Sequence, residues 1–255
     1  MIRLEKVTVH GPAAPLIGDV SLTVDAAPLV IIGPSGAGKT TLLHTMLGLR
    51  RYDGRILFDE QPAHELSRRA RARWLAWLPQ QAVPSEPLET LDYLLGARFA
   101  YDEPRETSRG LIREALADCG VAHLAERRVT EVSGGEFQRV LLAGLLAQDA
   151  RYLLLDEPAN HLDPALRLTL YSLLARQVRQ GRGLIAVTHE IGLITALEQA
   201  CDGPLQVVGL SAGRLAFVAA SDDADLDQRL SELYGIPHRR VEIDGKRFFL
   251  SGLGS

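Results

Sequence analysis

The residues with the most specific chemistry in this 255-residue chain form one run, Gly33-Pro34-Ser35-Gly36-Ala37-Gly38-Lys39-Thr40. The run matches the phosphate-binding pattern G-x-x-x-x-G-K-[ST] at every fixed position. Its glycines let successive backbone N–H groups point toward one anion at the start of a helix. Lys39 can reach the β- and γ-phosphates, and the Thr40 hydroxyl can bind Mg²⁺. The sequence therefore predicts that the protein binds a nucleoside triphosphate.

The flanking residues supply the context that this pattern needs. The apolar run Leu29-Val30-Ile31-Ile32 predicts a buried strand before the loop, and Lys39–Leu49 predicts a helix after it. A glycine-rich turn with a chance lysine is the alternative. The strand and helix on either side favour the phosphate-binding interpretation.

A second strand ends in two carboxylates. The apolar run Tyr152–Leu155 is followed by Asp156 and Glu157, and Pro158 ends the strand. Asp156 is the expected ligand in the Mg²⁺ shell, and Glu157 can polarise a water molecule that attacks the γ-phosphate. Taken alone, the run also fits a buried strand that ends in two surface acids. Downstream of a phosphate loop, the functional interpretation is favoured.

A third motif, Ser133-Gly134-Gly135-Glu136, opens a predicted helix over Phe137–Gln148. The spacing S-x-x-E before an apolar run is that of a capping box. Two consecutive glycines add close backbone approach, and a helix N-terminus offers free N–H groups to an anion. Capping and anion binding are compatible at one helix start.

Two single residues are candidates with ordinary alternatives. Gln80 follows a predicted strand and Pro79, and its amide can reach Mg²⁺ or the attacking water; a solvated glutamine fits equally well. His189 follows the strand Ile185–Thr188, where it can contact the γ-phosphate. A lone histidine at a strand end is more often a structural donor.

The elements around these motifs predict an α/β fold. Residues Arg3–Val9 and Val20–Val24 alternate as half-buried strands. Tyr152–Leu155, a helix over Pro164–Gln180 and the run Leu184–Val187 then indicate a parallel sheet covered on both faces. The remaining predicted elements are strands at Ile56–Phe58 and Leu75–Leu78, an exposed basic helix at His64–Arg73, a hairpin of Leu205–Val208 with Arg214–Val218, a helix at Asp225–Tyr234, and a hairpin in Val241–Phe249 that turns at Asp244-Gly245.

Between Glu86 and Ala150 only helical periodicity is present, with helices predicted at Leu88–Arg98, Glu106–Cys119 and Val121–Arg127, and with Gly120 as a helix stop. We therefore expect four parts. Residues 1–85 form the first part of an ATP-binding core, 86–150 an inserted helical subdomain, 151–220 the second part of the core, and 221–255 a C-terminal extension.

Charge, cysteine content and hydropathy limit the partners and the cellular location that are expected for this chain. A net charge of −4 argues against a surface that coats nucleic acid. The two cysteines, Cys119 and Cys201, form no disulfide framework or metal-binding spacing, which favours a reduced cytoplasmic setting. The N-terminus lacks the apolar core of a signal peptide, and no apolar segment approaches the roughly 20 residues of a membrane span. Any membrane role is therefore expected to come through a partner.

Taken in their order along the chain, these motifs resemble those of the ATP-binding subunits of ABC transporters, over residues from Val7 to about Val218. The resemblance implies a P-loop NTPase (RecA-like) core with an N-terminal antiparallel β region and an inserted all-helical subdomain. It makes the run from Gly33 to Thr40 the Walker A loop, followed by Thr41, and it makes Gln80 the Q-loop glutamine. The other implied roles are the signature motif (Ser133–Glu136), the Walker B aspartate (Asp156), the catalytic glutamate (Glu157), the D-loop (Ala159-Asn160-His161-Leu162-Asp163) and the switch histidine (His189).

Three positions depart from the family pattern. Val132 replaces the usual leucine of the signature, and Glu136 stands where glutamine is commoner. At the adenine-stacking position, where an aromatic residue is usual, the nearest candidate is His10. An imidazole stacks more weakly than a tyrosine ring, so this departure bears on nucleotide affinity and selectivity.

The resemblance also implies partners and a location. Two copies are expected to dimerise head to tail around two ATP and Mg²⁺, and to sit on permease subunits at the cytoplasmic face of the membrane, with an extracytoplasmic substrate-binding protein. Within the family, the Asp156–Asp163 run and the Leu-Tyr-Gly of the C-terminal part resemble importers of iron complexes, haem or cobalamin. The alternatives are a soluble ABC-type ATPase that acts on ribosomes or DNA, and the ATPase of an exporter. A GTPase or kinase leaves the Ser133 motif unexplained.

Overall fold

The computed structural model describes residues 1–25, 27–84, 86–160 and 162–252. Its strands are β1 (Ile2–His10), β2 (Pro15–Val24), β3 (Leu29–Ile32), β4 (Asp53–Phe58), β5 (Gln61–Pro62), β6 (Leu75–Leu78), β7 (Tyr152–Asp156), β8 (Gly183–Thr188), β9 (Gln206–Ser211), β10 (Arg214–Ala220), β11 (His238–Ile243) and β12 (Lys246–Ser251). Its α-helices are α1 (Lys39–Met46), α2 (Arg68–Trp74), α3 (Thr90–Leu94), α4 (Arg105–Asp118), α5 (Gly134–Ala147), α6 (Pro164–Arg179), α7 (Gly192–Cys201) and α8 (Leu226–Tyr234). Short 3₁₀ turns cover Ala63–Glu65, Leu95–Arg98, Ala122–Leu124 and Val129–Glu131.

A six-stranded sheet in the order β10-β9-β3-β8-β7-β6 forms the centre of the fold. Its strands pair in parallel, apart from the β9–β10 hairpin. Successive side chains of β3 enter opposite cores: Val30 and Ile32 pack with the helices α4 to α7, whereas Leu29 and Ile31 pack with α1 and the N-terminal strands. Such two-sided burial explains the continuous apolar runs, and it confirms the predicted parallel sheet with two covered faces.

A second, antiparallel sheet has the order β2-β1-β4-β5. In it Ile2 lies opposite both Val24 and Phe58, and all three side chains are buried. This sheet is the predicted N-terminal antiparallel β region. It lies on the same core as Leu42, Leu43 and Met46 of α1, so it supports the helix that follows the phosphate loop.

The regular elements between residues 86 and 150 are all helical, apart from a single bridge between Glu89 and Arg128. Its apolar faces join the same core as one face of the central sheet. Gly120 ends α4 as predicted, with φ at 69° and its N–H donated to the Ala117 carbonyl oxygen at 2.9 Å. The Val121 N–H donates to the Leu116 carbonyl oxygen at 2.8 Å, which completes the cap at the end of α4.

Four local expectations need correction. The helix predicted over Lys39–Leu49 ends at Met46, because Gly48 takes a left-handed conformation and its N–H returns to Thr45. The predicted helix His64–Arg73 is a 3₁₀ turn and a separate helix, α2, whose start is capped by the Ser67 hydroxyl. Residues predicted as a helix over Val121–Arg127 form only the 3₁₀ turn at Ala122–Leu124. The helix α7 was not predicted.

The C-terminal part adds α8 and the hairpin of β11 and β12, both close to their predicted positions. This hairpin contacts α7 and α8. Within the described ranges, no helix combines the length and hydropathy that crossing a lipid bilayer requires.

Candidate active site

The phosphate loop joins the end of β3 to the start of α1. Its turn is closed by the Ala37 N–H, which donates to the Pro34 carbonyl at 3.1 Å, and Gly38 opens the helix with φ at 99°, a conformation that favours glycine. The β9–β10 turn anchors the loop from outside, since the Gly213 N–H donates to the Ala37 carbonyl at 3.0 Å. At Gly33 a Cβ would lie only 2.1 Å from the carbonyl oxygen of Leu210. The loop is therefore built against a neighbouring strand that leaves no room for a side chain at its first glycine.

Lys39 lies across this loop. Its ammonium donates to the carbonyl oxygens of Gly33 at 2.7 Å and Pro34 at 3.1 Å. Burial lowers the pKa of Lys39, and the negative charges of Glu157 and Asp156 oppose that shift. The result is a buried cation held at the loop, with two carboxylates close enough to affect it.

Near Lys39, the side chains of Thr40 and Asp156 are hydrogen-bonded to each other. The Thr40 hydroxyl donates to Oδ1 of Asp156 at 3.1 Å, and the Asp156 residue is only 3% exposed. Burial raises the pKa of Asp156; the Thr40 hydrogen bond lowers it, and the charge of Glu157 raises it further. A hydroxyl and a carboxylate are hard oxygen donors of the kind that Mg²⁺ prefers, so the residues present fit that ion.

Glu157 is the residue after Asp156, and hydrogen-bond partners hold one side of its carboxylate. The Thr188 hydroxyl donates to its Oε2 at 2.9 Å, and Nδ1 of His189 lies 2.9 Å from its Oε1. The backbone of Glu157 has φ at 49°, a strained conformation for a residue with a side chain, and its N–H donates to the Val187 carbonyl. The strand end and these partners fix the direction of a carboxylate that is mostly buried.

The Ser133–Glu136 motif lies elsewhere, at the exposed start of α5. The Glu136 N–H donates to the Ser133 hydroxyl, and the Ser133 N–H donates to Oε2 of Glu136 at 2.8 Å, so the predicted capping box is present. The hydrogen bonds that the Ser133 N–H and hydroxyl donate to the Glu136 carboxylate lower the pKa of Glu136. Within one chain, the hydrogen bonds recorded for Ser133 and Glu136 stay at this helix start and do not reach the phosphate loop.

Other predicted site residues lie around the cluster. Thr41 follows Thr40 in the first turn of α1, and Gln80 is exposed two residues beyond β6, at the sheet edge where β7 also ends. Nε2 of the exposed His10 lies 2.7 Å from Oδ2 of Asp53, so the imidazole is paired with the start of β4. In the predicted D-loop, Asp163 caps α6, and the expected role of His161 falls outside the described residues.

Two residues of the site were not found from the sequence. Thr188, which holds Glu157, directly precedes His189 and has no pattern of its own. The Tyr234 hydroxyl donates to the His189 carbonyl at 3.3 Å, and only the Leu-Tyr-Gly of the C-terminal part pointed toward that residue. Both contacts join positions far apart in the chain, which local patterns do not report.

The central sheet and this loop, lysine and carboxylate arrangement define a P-loop NTPase of mixed α/β architecture. Residues 17–160 match the model of one protein family, described as ABC transporter. The chain belongs to the ABC transporter family, and within it to the ATP-binding, ATP-hydrolysing subunits. This agrees with the fold and activity that the motifs implied.

Curated relatives cover almost the whole chain. The hemin import ATP-binding protein HmuV of Bordetella pertussis is 34% identical over 92% of each chain. The vitamin B12 import ATP-binding protein BtuD of Citrobacter koseri is 30% identical over 98% of each chain. The zinc import ATP-binding protein ZnuC of Pseudomonas fluorescens is 36% identical over 76% of this chain and 69% of its own length.

Solved structures agree with the fold. An inward-facing putative metal-chelate type ABC transporter superposes with a TM-score of 0.79 at 21% identity, over 98% of this chain and 96% of the other. A dimeric ATP-binding cassette in a post-hydrolysis state, bound to ADP and Pi, gives a TM-score of 0.75 at 24% identity, over 86% of this chain and 98% of the other.

Proposed function

We propose that this chain is the motor subunit of an importer for iron complexes, haem or cobalamin, and that two copies close head to tail around two ATP. The proposal depends above all on one observation: Lys39, Thr40, Asp156 and Glu157 converge on one edge of the sheet, while the Ser133–Glu136 helix start lies exposed on another part of the chain. One subunit thus offers half of an anion site, and a partner copy offers the other half.

The phosphate loop would bind the phosphates of ATP. Its N–H groups and the N-terminus of α1 face the phosphates, and the Lys39 ammonium exchanges its two carbonyl acceptors for β- and γ-phosphate oxygens. Thr40 and Asp156 would hold Mg²⁺, directly or through water, with Gln80 as a further ligand. The chemistry that Mg²⁺ would supply there is neutralisation of the negative charge on the phosphates during transfer.

Glu157 would be the general base for ATP hydrolysis. Each carboxylate oxygen has lone pairs beyond those used by Thr188 and His189, so the group can orient a water molecule and accept its proton. His189 would contact the γ-phosphate while its Nδ1 stays on Glu157. Fixing the carboxylate before the reaction lowers the cost of aligning the nucleophile.

Dimer closure depends on charge. The γ-phosphate adds negative charge that the partner's Gly134 and Gly135 N–H groups attract, and its release removes this attraction. His10 would stack on the adenine ring. Its imidazole would either give up its hydrogen bond with Asp53 or keep it while stacked.

The proposed partners follow from the relatives that cover the whole chain. The matches to the hemin and vitamin B12 import proteins cover 92% and 98% of the chain, whereas the zinc import match covers 76%. We therefore assign the chain to the cytoplasmic face of the membrane, on permease subunits served by an extracytoplasmic binding protein. The helical residues 86–150 and the Gln80 loop would transmit closure to the permease. No nucleic-acid partner is proposed.

Transport by a reconstituted complex tests this function. Proteoliposomes should contain this chain, the permease encoded beside it and the matching binding protein, and uptake should be compared for haem, cobalamin, a ferric chelate and Zn²⁺. The proposal predicts ATP-dependent uptake of one of the first three, and its loss with Glu157→Gln. Selective zinc uptake, or efflux in place of uptake, contradicts it.

A further inference from the structure

The C-terminal segment, residues 221–252, reaches the catalytic edge of the sheet. Tyr234 is the last residue of α8, and Gly235, with φ at 69°, ends the helix directly after it. The Tyr234 hydroxyl donates to the main-chain carbonyl of His189 at 3.3 Å. A residue far outside the phosphate-binding motifs is therefore bonded to the backbone that carries a proposed catalytic side chain.

The same hydroxyl lies beside the first residue of the phosphate loop. Burial raises the pKa of Tyr234 to about 12, and a hydrogen bond with the Gly33 backbone works against that shift. The phenol consequently stays protonated throughout the neutral range and remains a donor. The hydrogen bond that the geometry shows for this side chain is the one to His189, which follows β8.

The C-terminal segment also holds the far end of the helix that follows His189. Near the end of α7, Oε1 of Glu198 accepts hydrogen bonds from the Ser221 hydroxyl at 2.9 Å and lies 3.2 Å from the Arg247 guanidinium. Gln199 donates to the Arg247 carbonyl at 3.1 Å. Residues 221–252 are therefore bonded both to His189, three residues before α7, and to the C-terminal end of that helix. The core motifs do not supply this support.

We propose that Tyr234 is a positioning residue for ATP hydrolysis, which acts by fixing the backbone of His189. His189 in turn sets one side of the Glu157 carboxylate, so a shift of its main chain alters the direction in which that carboxylate meets water. Tyr234 neither binds phosphate nor accepts a proton itself. The inference depends on the proposed roles of Glu157 and His189.

The expected signature is a change in kcat and not in KM. Small misplacements of a catalytic group can slow a reaction strongly, whereas nucleotide binding rests on Lys39 and the loop N–H groups. Tyr234→Phe keeps the aromatic ring and removes only the hydroxyl. We expect kcat for ATP to fall about fivefold to tenfold, with KM within twofold of the unchanged protein.

Tyr101→Phe is the matched control. The Tyr101 hydroxyl also donates to a main-chain carbonyl, that of Asp149 at 2.8 Å, but in the helical part of the chain. Both variants lose one phenol–carbonyl hydrogen bond, so general weakening of the fold affects them alike. Only Tyr234→Phe should lose kcat.

The experiment is steady-state ATP hydrolysis by the full chain, for both variants, with thermal unfolding as a check on folding. A kcat for Tyr234→Phe within twofold of the unchanged protein overturns the inference, as does a loss equal to that of Tyr101→Phe or a change confined to KM. Lys39→Ala is run in parallel. If hydrolysis does not depend on Lys39, the proposed function fails; if it does and Tyr234→Phe is normal, only the role of Tyr234 fails.

Discussion

The Thr40 hydroxyl and the Asp156 carboxylate are 3.1 Å apart, although 116 positions separate them in the chain. Asp156 ends β7, whereas Thr40 lies in α1, which follows β3 through the phosphate loop. The strands β3 and β7 are not neighbours, because β8 lies between them. Parallel pairing brings the carboxyl ends of all three strands to one edge, where the loop after β3 reaches across β8. His189 is the residue that follows this intervening strand, and its Nδ1 lies 2.9 Å from Oε1 of Glu157, the residue after Asp156.

Lys39→Ala should abolish tight ATP binding. The variant removes the only side-chain cation of the phosphate loop, and the loop N–H groups alone do not replace its charge on the β- and γ-phosphates. Titration with a fluorescent ATP analogue measures the loss. Lys246→Ala, a change in the exposed C-terminal hairpin, serves as the control and should bind normally. Equal affinity for both variants would refute the phosphate-loop assignment.

Glu136→Gln should strengthen ATP-dependent dimerisation. The carboxylate of Glu136 is bonded at a helix start that is proposed to face the γ-phosphate of the partner, and two negative charges there oppose closure. A glutamine keeps an oxygen that can accept the Ser133 N–H. In a Glu157→Gln background, the ATP concentration for half-maximal dimer should fall severalfold and depend less on salt.

Glu131→Gln, in the same background, is the control for Glu136→Gln. Glu131 is an exposed acid in the 3₁₀ turn just before the signature helix, so its removal changes net charge equally. Identical ATP dependence for the two variants would exclude a local effect of the Glu136 charge.

Glu103→Gln should destabilise the helical part of the protein. The Arg98 side chain is 5% exposed, and its guanidinium donates two hydrogen bonds of 2.8 Å to Glu103. Without the carboxylate a buried cation loses its partner, which costs about 3 kcal/mol in the free energy of unfolding. Urea unfolding at neutral pH measures this loss, and Glu106→Gln, in the exposed first turn of α4, should stay within about 0.5 kcal/mol.

The same pair predicts a pH dependence. Hydrogen bonds from Arg98 and Ser108 hold the pKa of Glu103 below its ordinary value of 4.5. The stabilisation is therefore complete above the ordinary carboxyl range and is lost as pH falls through the lowered pKa. The stability difference between the unchanged protein and Glu103→Gln should be constant from pH 6 to 8 and shrink below about pH 4. A difference that is undiminished at pH 3 would contradict this assignment.

Patterns that are local in the sequence predicted most of the fold and the candidate site. Leu29–Ile32, the glycine loop and Asp156-Glu157 each carry their signal within a few residues, and the structure brings them together as the motifs implied. The helix α7 was missed because Ile191, at its N-cap, offers no capping side chain. The contact of Tyr234 with His189 spans 45 positions, and no periodicity of either segment encodes it.

His10 shows a second limit of what can be predicted from the sequence. Its position at the end of β1 was expected, but the hydrogen bond to Asp53 depends on the pairing of β1 with β4 and on side-chain direction. The family resemblance, by position alone, suggested stacking on adenine, whereas the imidazole is also a partner of the Asp53 carboxylate. Its proposed role therefore depends on whether nucleotide affinity changes in His10→Ala but not in Asp53→Asn.

The central claim is that the terminal phosphate of ATP holds two copies of this chain together until Glu157 hydrolyses it. The most direct measurement is the mass in solution of the full-length Glu157→Gln protein, by light scattering, with Mg·ATP and with Mg·ADP. The account predicts a dimer of about twice 27.8 kDa with ATP, a monomer with ADP, and turnover slower by orders of magnitude than that of the unchanged protein. A protein that stays monomeric with ATP even beside its permease, or that hydrolyses ATP at the normal rate, would contradict it.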